Sequence, residues 1–265
     1  MAETRDNVVE LKEVSVYSQT ERVLHEVSAS FPRGKSSVVL GPSGCGKSVL
    51  LKVCAGIIPP DSGEVYIEGQ SLLRMSEKDQ EAFRRRSGFV FQDAALWANK
   101  TVFDNLALPL QFHYRELSRQ ELGERIQRSL VKMGLGDSMF VRPAALSIGE
   151  RKIVSFLRAL VLRPSILFMD EPTLSVDHRV VAEMMKIIMG LRNEECSLIT
   201  ITHDPGLASM LADHAVVLEK GLVLAQGRFD AVRHDPNAEV QSILAQVLDQ
   251  APTYDGDLLE LLADE

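Results

Sequence analysis

Apolar and polar positions divide the first ninety residues into short β-type runs separated by turns. Val8 to Tyr17 and Val23 to Phe31 are rich in β-branched and apolar residues with partial alternation, which predicts two strands of a β-rich lobe. Pro32, Arg33 and Gly34 turn the second into Ser37 to Leu40, a continuous apolar run that reads as a buried strand. A helix is expected from Val49 to Ala55, with Gly56 at its C-cap position. After the turn cluster Pro59 to Gly63, Glu64 to Glu68 alternates as a strand that Gly69 ends. Ser76 to Arg86 is charged and helical, with Ser76 placed to cap it, and Gly88 to Phe91 is a short buried strand delivering Gln92.

From Asp93 to about Leu162 the pattern becomes helical, with loop breaks expected at Pro109, Gly134 to Gly136 and Pro143. Leu122, Ile126, Leu130 and Met133 trace one face of a helix. Ala94 to Trp97 with Val102 and Phe103 forms an apolar cluster that is either core or a docking groove. β-type runs then return: Ser165 to Met169 ends in Asp170 and Glu171, and Ser197 to Thr202 delivers His203, followed by the N-cap and N1 pair Asp204 and Pro205. Ala215 to Glu219 and Leu222 to Gln226 form a hairpin about Lys220 and Gly221, and helices follow to about Leu248. The pattern is that of one α/β domain over residues 1–248, with a helical subdomain at about 93–162 and an acidic tail over 249–265. The tail carries neither Lys nor Arg and ends in the leucine-rich Leu258 to Leu262; it is either a solvated tail or a docking or dimerisation segment.

Composition narrows the function classes. A length of 265 residues with 45% hydrophobic content supports a sizeable core. A net charge of −8 and a pI near 5.4 argue against a face built to neutralise nucleic-acid phosphates. Three cysteines without metal-ligand spacing fit free thiols. No apolar run approaches the roughly eighteen residues of a membrane span, and the start lacks an apolar signal core, so any membrane role is expected to come through partners.

The chemistry lies at the ends of the apolar runs. Gly41, Pro42, Ser43, Gly44, Cys45, Gly46, Lys47 and Ser48 satisfy G-x-x-x-x-G-K-[ST] in full, between an expected strand and an expected helix. Glycines let backbone amides converge on a phosphate, the helix start adds partial positive charge, Lys47 can reach outer phosphates, and the Ser48 hydroxyl can bind magnesium. Asp170 and Glu171 present carboxylates at a strand's carboxyl end, one to hold the metal through its shell, the other to orient or deprotonate an attacking water. His203 can contact a γ-phosphate or serve as a structural hydrogen-bonder. Tyr17 precedes a polar turn, where its ring stacks on a base or packs at the strand end. Alone, Gln92 is a weak signal, and Cys45 inside the loop is expected to be shielded from alkylation by bound nucleotide.

Taken in order, these motifs resemble the nucleotide-binding subunit of an ATP-binding cassette transporter over residues 8 to 235. Gly41 to Ser48 resembles the Walker A loop, Gln92 the Q-loop glutamine, Leu146 to Glu150 the signature, Ile166 to Asp170 with Glu171 the Walker B strand and catalytic acid, Asp177 the D-loop aspartate, His203 the switch histidine, and Tyr17 the base-stacking aromatic. The resemblance implies a P-loop NTPase fold with a mainly parallel sheet core, an antiparallel β subdomain and an inserted helical subdomain. It implies that ATP is contacted by Tyr17, by Gly41 through Val49, and by Ser147, Gly149, Glu150 and Asp177. It gives Lys47, Gln92, Glu171 and His203 to catalysis and Ser48, Gln92 and Asp170 to Mg2+. Two cassettes facing head to tail would close on ATP at the cytoplasmic face of the inner membrane, bound to integral permease subunits whose coupling helices sit near Gln92.

Departures from the family pattern fall together: Ile148 stands for the signature's first glycine, Glu150 for its glutamine, Ile153 for the arginine three residues later and Leu174 for the D-loop serine. Loss of a glycine is expected to restrict the backbone, and Glu150 to repel phosphate unless it points away, so hydrolysis is expected to be slow. Phe91 to Trp97 and Thr101 to Leu110 are similar to cassettes of lipid transporters that work with mammalian-cell-entry domain proteins, and the short tail agrees. A methionine-type importer, whose ATPases usually carry a further regulatory domain, and a slow or non-hydrolysing structural cassette are the alternatives.

Overall fold

The computed structural model describes residues 6–18, 21–114 and 116–248. The tail 249–265, with its docking or dimerisation reading, lies outside the described residues. The first lobe contains β1 (Asn7–Ser18), β2 (Glu21–Pro32), β3 (Ser36–Leu40), α1 (Lys47–Cys54), β4 (Ser62–Ile67), β5 (Gln70–Ser71), α2 (Glu77–Arg85) and β6 (Ser87–Val90). Three helices follow, α3 (Val102–His113), α4 (Arg119–Lys132) and α5 (Ile148–Leu160). The chain then alternates through β7 (Ile166–Asp170), α6 (His178–Asn193), β8 (Ser197–Ile201) and α7 (Pro205–Leu211). It closes with the hairpin β9 (His214–Glu219) and β10 (Leu222–Arg228), then α8 (Phe229–Arg233) and α9 (Ala238–Leu248).

Two sheets result. One is antiparallel, in the order β2-β1-β4-β5; the other has six strands in the order β10-β9-β3-β8-β7-β6. In the second, β9, β3, β8, β7 and β6 run parallel and only β10 is reversed. β3, β7 and β8 are buried at every position, which explains why they read as unbroken apolar runs: a parallel strand covered on both faces has no polar side to show. Alternation survives as a choice between two cores. Ile166 and Phe168 of β7 pack with Leu11, Leu24, Phe31, Leu50 and Leu51 toward the antiparallel sheet, while Leu167 and Met169 pack with Leu106, Leu122, Phe156 and Met184 toward the helices. Each such side chain contributes about 1.5–3 kcal/mol on burial, so a one-residue register slip in β7 would exchange both cores at once.

Pro109 does not break the chain as expected. It lies inside α3, where an interior proline typically costs about 3 kcal/mol. The helix persists because both ends of the balance favour it. Thr101 and Asp104 close a capping box, the Thr101 Oγ1 accepting from Asp104 N at 3.1 Å and Asp104 Oδ2 accepting from Thr101 N at 3.2 Å. Val102, Leu106 and Leu110 then bury one face. The apolar cluster at the start of this region also divides: Ala94, Val102 and Phe103 are core, whereas Trp97 is 46% exposed.

Candidate functional site

α1 begins one turn into the glycine loop. Gly46 caps it with φ at 107°, a left-handed conformation that side chains resist, and this lets Lys47 start the helix directly. The buried Lys47 ammonium donates to the carbonyls of Gly41 at 2.7 Å and Pro42 at 2.8 Å, so its charge is fixed at the loop rather than swinging in solvent. The Ser48 hydroxyl faces the Asp170 carboxylate and opposes the rise that burial imposes on it, so the start of α1 meets the end of β7 across the intervening β8. Cys45 is buried and desolvation pushes its thiol up, which lowers the share of reactive thiolate.

Asp170 and Glu171 are both nearly sealed from solvent, at 2% and 7% exposure. Glu171 leaves the strand with φ at 49°, a conformation uncommon outside glycine and asparagine. Three contacts hold it there. Its N–H donates to the Ile201 carbonyl at 3.0 Å, its own carbonyl accepts from Lys152 Nζ at 3.0 Å, and its Oε2 accepts from the His203 N–H at 3.3 Å. Burial pushes the Glu171 carboxyl up to about 7, opposed by the His203 amide and reinforced by the neighbouring Asp170 charge. Asp170 is also raised by burial. His203 lies 3.5 Å from Glu171 Oε1, but burial and then the Lys47 charge lower its pKa, so the pair meets as a neutral ring and a carboxyl rather than as a salt bridge.

Asp170 Oδ1 and Glu171 Oε1 are buried without a hydrogen-bond partner. Buried carboxylate oxygens are normally satisfied. An orphan oxygen on Asp170 beside the Ser48 hydroxyl is an all-oxygen donor set, which suits a hard divalent cation such as Mg2+.

A second group forms at the starts of α5 and α6. Ser147 caps α5 in a full capping box: its Oγ accepts from Glu150 N at 3.2 Å, and Glu150 Oε2 accepts from Ser147 N at 2.7 Å. Glu150 is therefore pinned to its own helix start, where the helix dipole favours a negative charge. Ile148 occupies the first position of the helix with no left-handed strain, and its side chain stands 61% exposed. Gly149 cannot be exchanged so easily, since a Cβ there would lie 2.7 Å from the Ser175 carbonyl. Asp177 caps α6, accepting from Arg179 N at 3.0 Å. A cleft of about 520 Å3 is lined by Leu135, Ser147, Ile148, Gly149, Glu150 and Asp177, among others.

The fold thus brings Lys47, Ser48, Asp170, Glu171 and His203 together at the carboxyl ends of β3, β7 and β8. Gln92 lies exposed two residues beyond β6, the strand next to β7, and Tyr17 lies half-exposed near the end of β1 with the Arg22 guanidinium 5.7 Å from its ring centroid. Among the described residues neither hydrogen-bonds any of those five. Lys152 is the residue that sequence reasoning passed over. The available signal was a lysine one helical turn before Phe156, on the buried stripe of α5.

Comparison with known proteins adds context to this geometry. A family model described as "ABC transporter" matches residues 24–174. The chain is 30% identical to MlaF, an intermembrane phospholipid transport system ATP-binding protein of Escherichia coli strain K12, over 98% of this chain and 99% of that protein. It is 32% identical to MetN, a methionine import ATP-binding protein of Rhizobium johnstonii, over 96% of this chain and 70% of that protein. A solved dimeric ATP-binding cassette in a post-hydrolysis state bound to ADP and Pi superposes with a TM-score of 0.76 at 30% identity, covering 83% of this chain and 98% of that one.

Proposed function

The chain belongs to the ABC transporter family, and from that premise we propose that it is the ATP-hydrolysing subunit that energises a transporter of phospholipid or another lipid. Hydrolysis is carried by one observation above the rest: a glutamate raised to about 7, a buried lysine and a neutral histidine converge at three adjacent strand ends of a P-loop fold. Gly41 through Val49 would cradle the phosphates by their amides, with Lys47 neutralising charge and Tyr17 stacking on the base. Ser48, Asp170 and Gln92 would hold Mg2+, which when bound screens the phosphate charge. Glu171 would take a proton from, or orient, the attacking water, and His203, whose ring nitrogen lies 3.5 Å from Oε1 of that acid, would contact the γ-phosphate. Ser147, Gly149, Glu150 and Asp177 would complete the site of a facing second copy. The capping hydroxyl and the α5 amides would face the γ-phosphate.

No helix among the described residues is long and apolar enough to cross a membrane, so the reading requires separate permease subunits, met near Gln92 at the inner membrane's cytoplasmic face. Arg158 braces that region, donating to the carbonyls of Ala94 at 3.0 Å and Ala95 at 2.9 Å. Lipid cargo is supported by the match to MlaF across nearly the whole of both proteins, against 70% of MetN, and a mammalian-cell-entry domain partner is inferred from the resemblance of Phe91 to Trp97 and Thr101 to Leu110. The test is transfer of a fluorescent phospholipid between vesicles by the complex assembled with its permeases. ATP-dependent transfer supports the reading; turnover that responds to methionine and not to lipid overturns the cargo.

A further inference from the structure

Lys152 has no place in the machinery described so far. It is 4% exposed, yet it is a cation on a helix otherwise buried through Ile153, Phe156 and Leu157. A lysine so enclosed is costly unless its ammonium has work to do. Its Nζ donates to the Glu171 carbonyl at 3.0 Å. That carbonyl belongs to the one residue of the strand end that is held at a positive φ, so the contact fixes the backbone from which the acid's side chain departs. Lys152 also stands one turn beyond Ile148 on the same helical face, five residues from the capping serine. A displacement of the start of α5 is therefore carried by a single helical turn to the backbone of Glu171.

We propose that Lys152 is a positioning residue for the hydrolytic reaction: it ties the helix headed by Ser147 to the Glu171 backbone, so that engagement of that helix start sets the placement of the acid. The proposal rests on the reading of Glu171 as the group that activates water. Glu171 is faced by Asp170 from β7, Lys47 from α1, His203 from the end of β8 and Lys152 from α5, and among these Lys47 and Lys152 favour its charged form. Removing Lys152 removes both a tether and a nearby positive charge.

The experiment measures ATP turnover for the full chain assembled with its permease subunits, with ATP binding followed on the same samples. Lys152→Met is expected to lower kcat by roughly tenfold to a hundredfold, the scale of a small misplacement in an active site. The ATP KM should stay within about twofold, a split that a general loss of structure would not give. Lys152→Arg should recover most of kcat. If Lys152→Met fails to fold, Lys152→Arg alone decides: a kcat near wild type supports the tether, and a collapse of kcat with normal ATP binding overturns it. A Lys152→Met protein with unchanged kcat also overturns it. Glu171→Gln is run in parallel: turnover that survives that change overturns the underlying reading instead, so the two failures are distinguishable.

Discussion

Glu171 combines a φ of 49°, burial and a carboxyl raised to about 7, and each has a measurable consequence. In the proposed mechanism the charged form accepts the water's proton, so kcat/KM for ATP should fall as pH drops through about 7, since that ratio reports groups of the free enzyme. A profile flat from pH 8 to pH 5.5 would contradict this. The same carboxyl affects stability. Its folded pKa lies above its ordinary value of 4.5, so its contribution favours folding when it is protonated and is lost as pH rises through about 7. Glu171→Gln removes that loss and should stabilise the chain by about 3 kcal/mol at pH 8, shrinking to under about 1 kcal/mol at pH 5. Thermal melts of both proteins at the two pH values check it, and equal melting at pH 8 would refute it.

At the scale of elements, α5 and α3 show where sequence reasoning reaches and where it stops. Ser147→Ala removes the cap and half of the capping box, which should cost about 1 kcal/mol in denaturant unfolding. Turnover of the assembled complex is expected to rise with Ile148→Gly, which clears a branched side chain exposed where a facing chain would approach, and with Glu150→Gln, which weakens the hold on the Ser147 amide. If neither change raises the rate, the altered signature is not what limits hydrolysis. Pro109→Ala restores a donor inside α3 and should stabilise the chain by roughly 1–3 kcal/mol. Strand ends, caps and the glycine loop were legible because their signals are local: Ser76 and Asp204 both cap the helices that follow them. Pro109 misled because packing of Val102, Leu106 and Leu110 outweighs a local rule. Lys152 was missed for a different reason: its place on the buried stripe of α5 could be read, but its contact could not. Its partner is a backbone carbonyl 19 residues away, and no side-chain pattern advertises such a pair.

For the whole molecule, strand order does what chain order cannot. The ends of β3, β7 and β8 are distant in sequence, but the order β3-β8-β7 sets them side by side, and the parallel register brings Asp170 level with Ile201. The apolar runs announced those strands, and the resemblance to ATP-binding cassettes announced a mainly parallel sheet core; the strand order, the conformation of Glu171 and the capping box between Ser147 and Glu150 required coordinates. In the proposed reading Lys47, Asp170, Glu171 and His203 make one half of an ATP site, while Ser147, Gly149 and Asp177 would serve the site of a second copy. The central claim is that Glu171 carries out hydrolysis without being needed for nucleotide binding. ATP turnover and ATP binding should therefore be measured together for wild type and Glu171→Gln in the complex assembled with its permeases. The account predicts binding within about twofold and turnover reduced by roughly a hundredfold or more; a Glu171→Gln complex that hydrolyses ATP at the wild-type rate would contradict it.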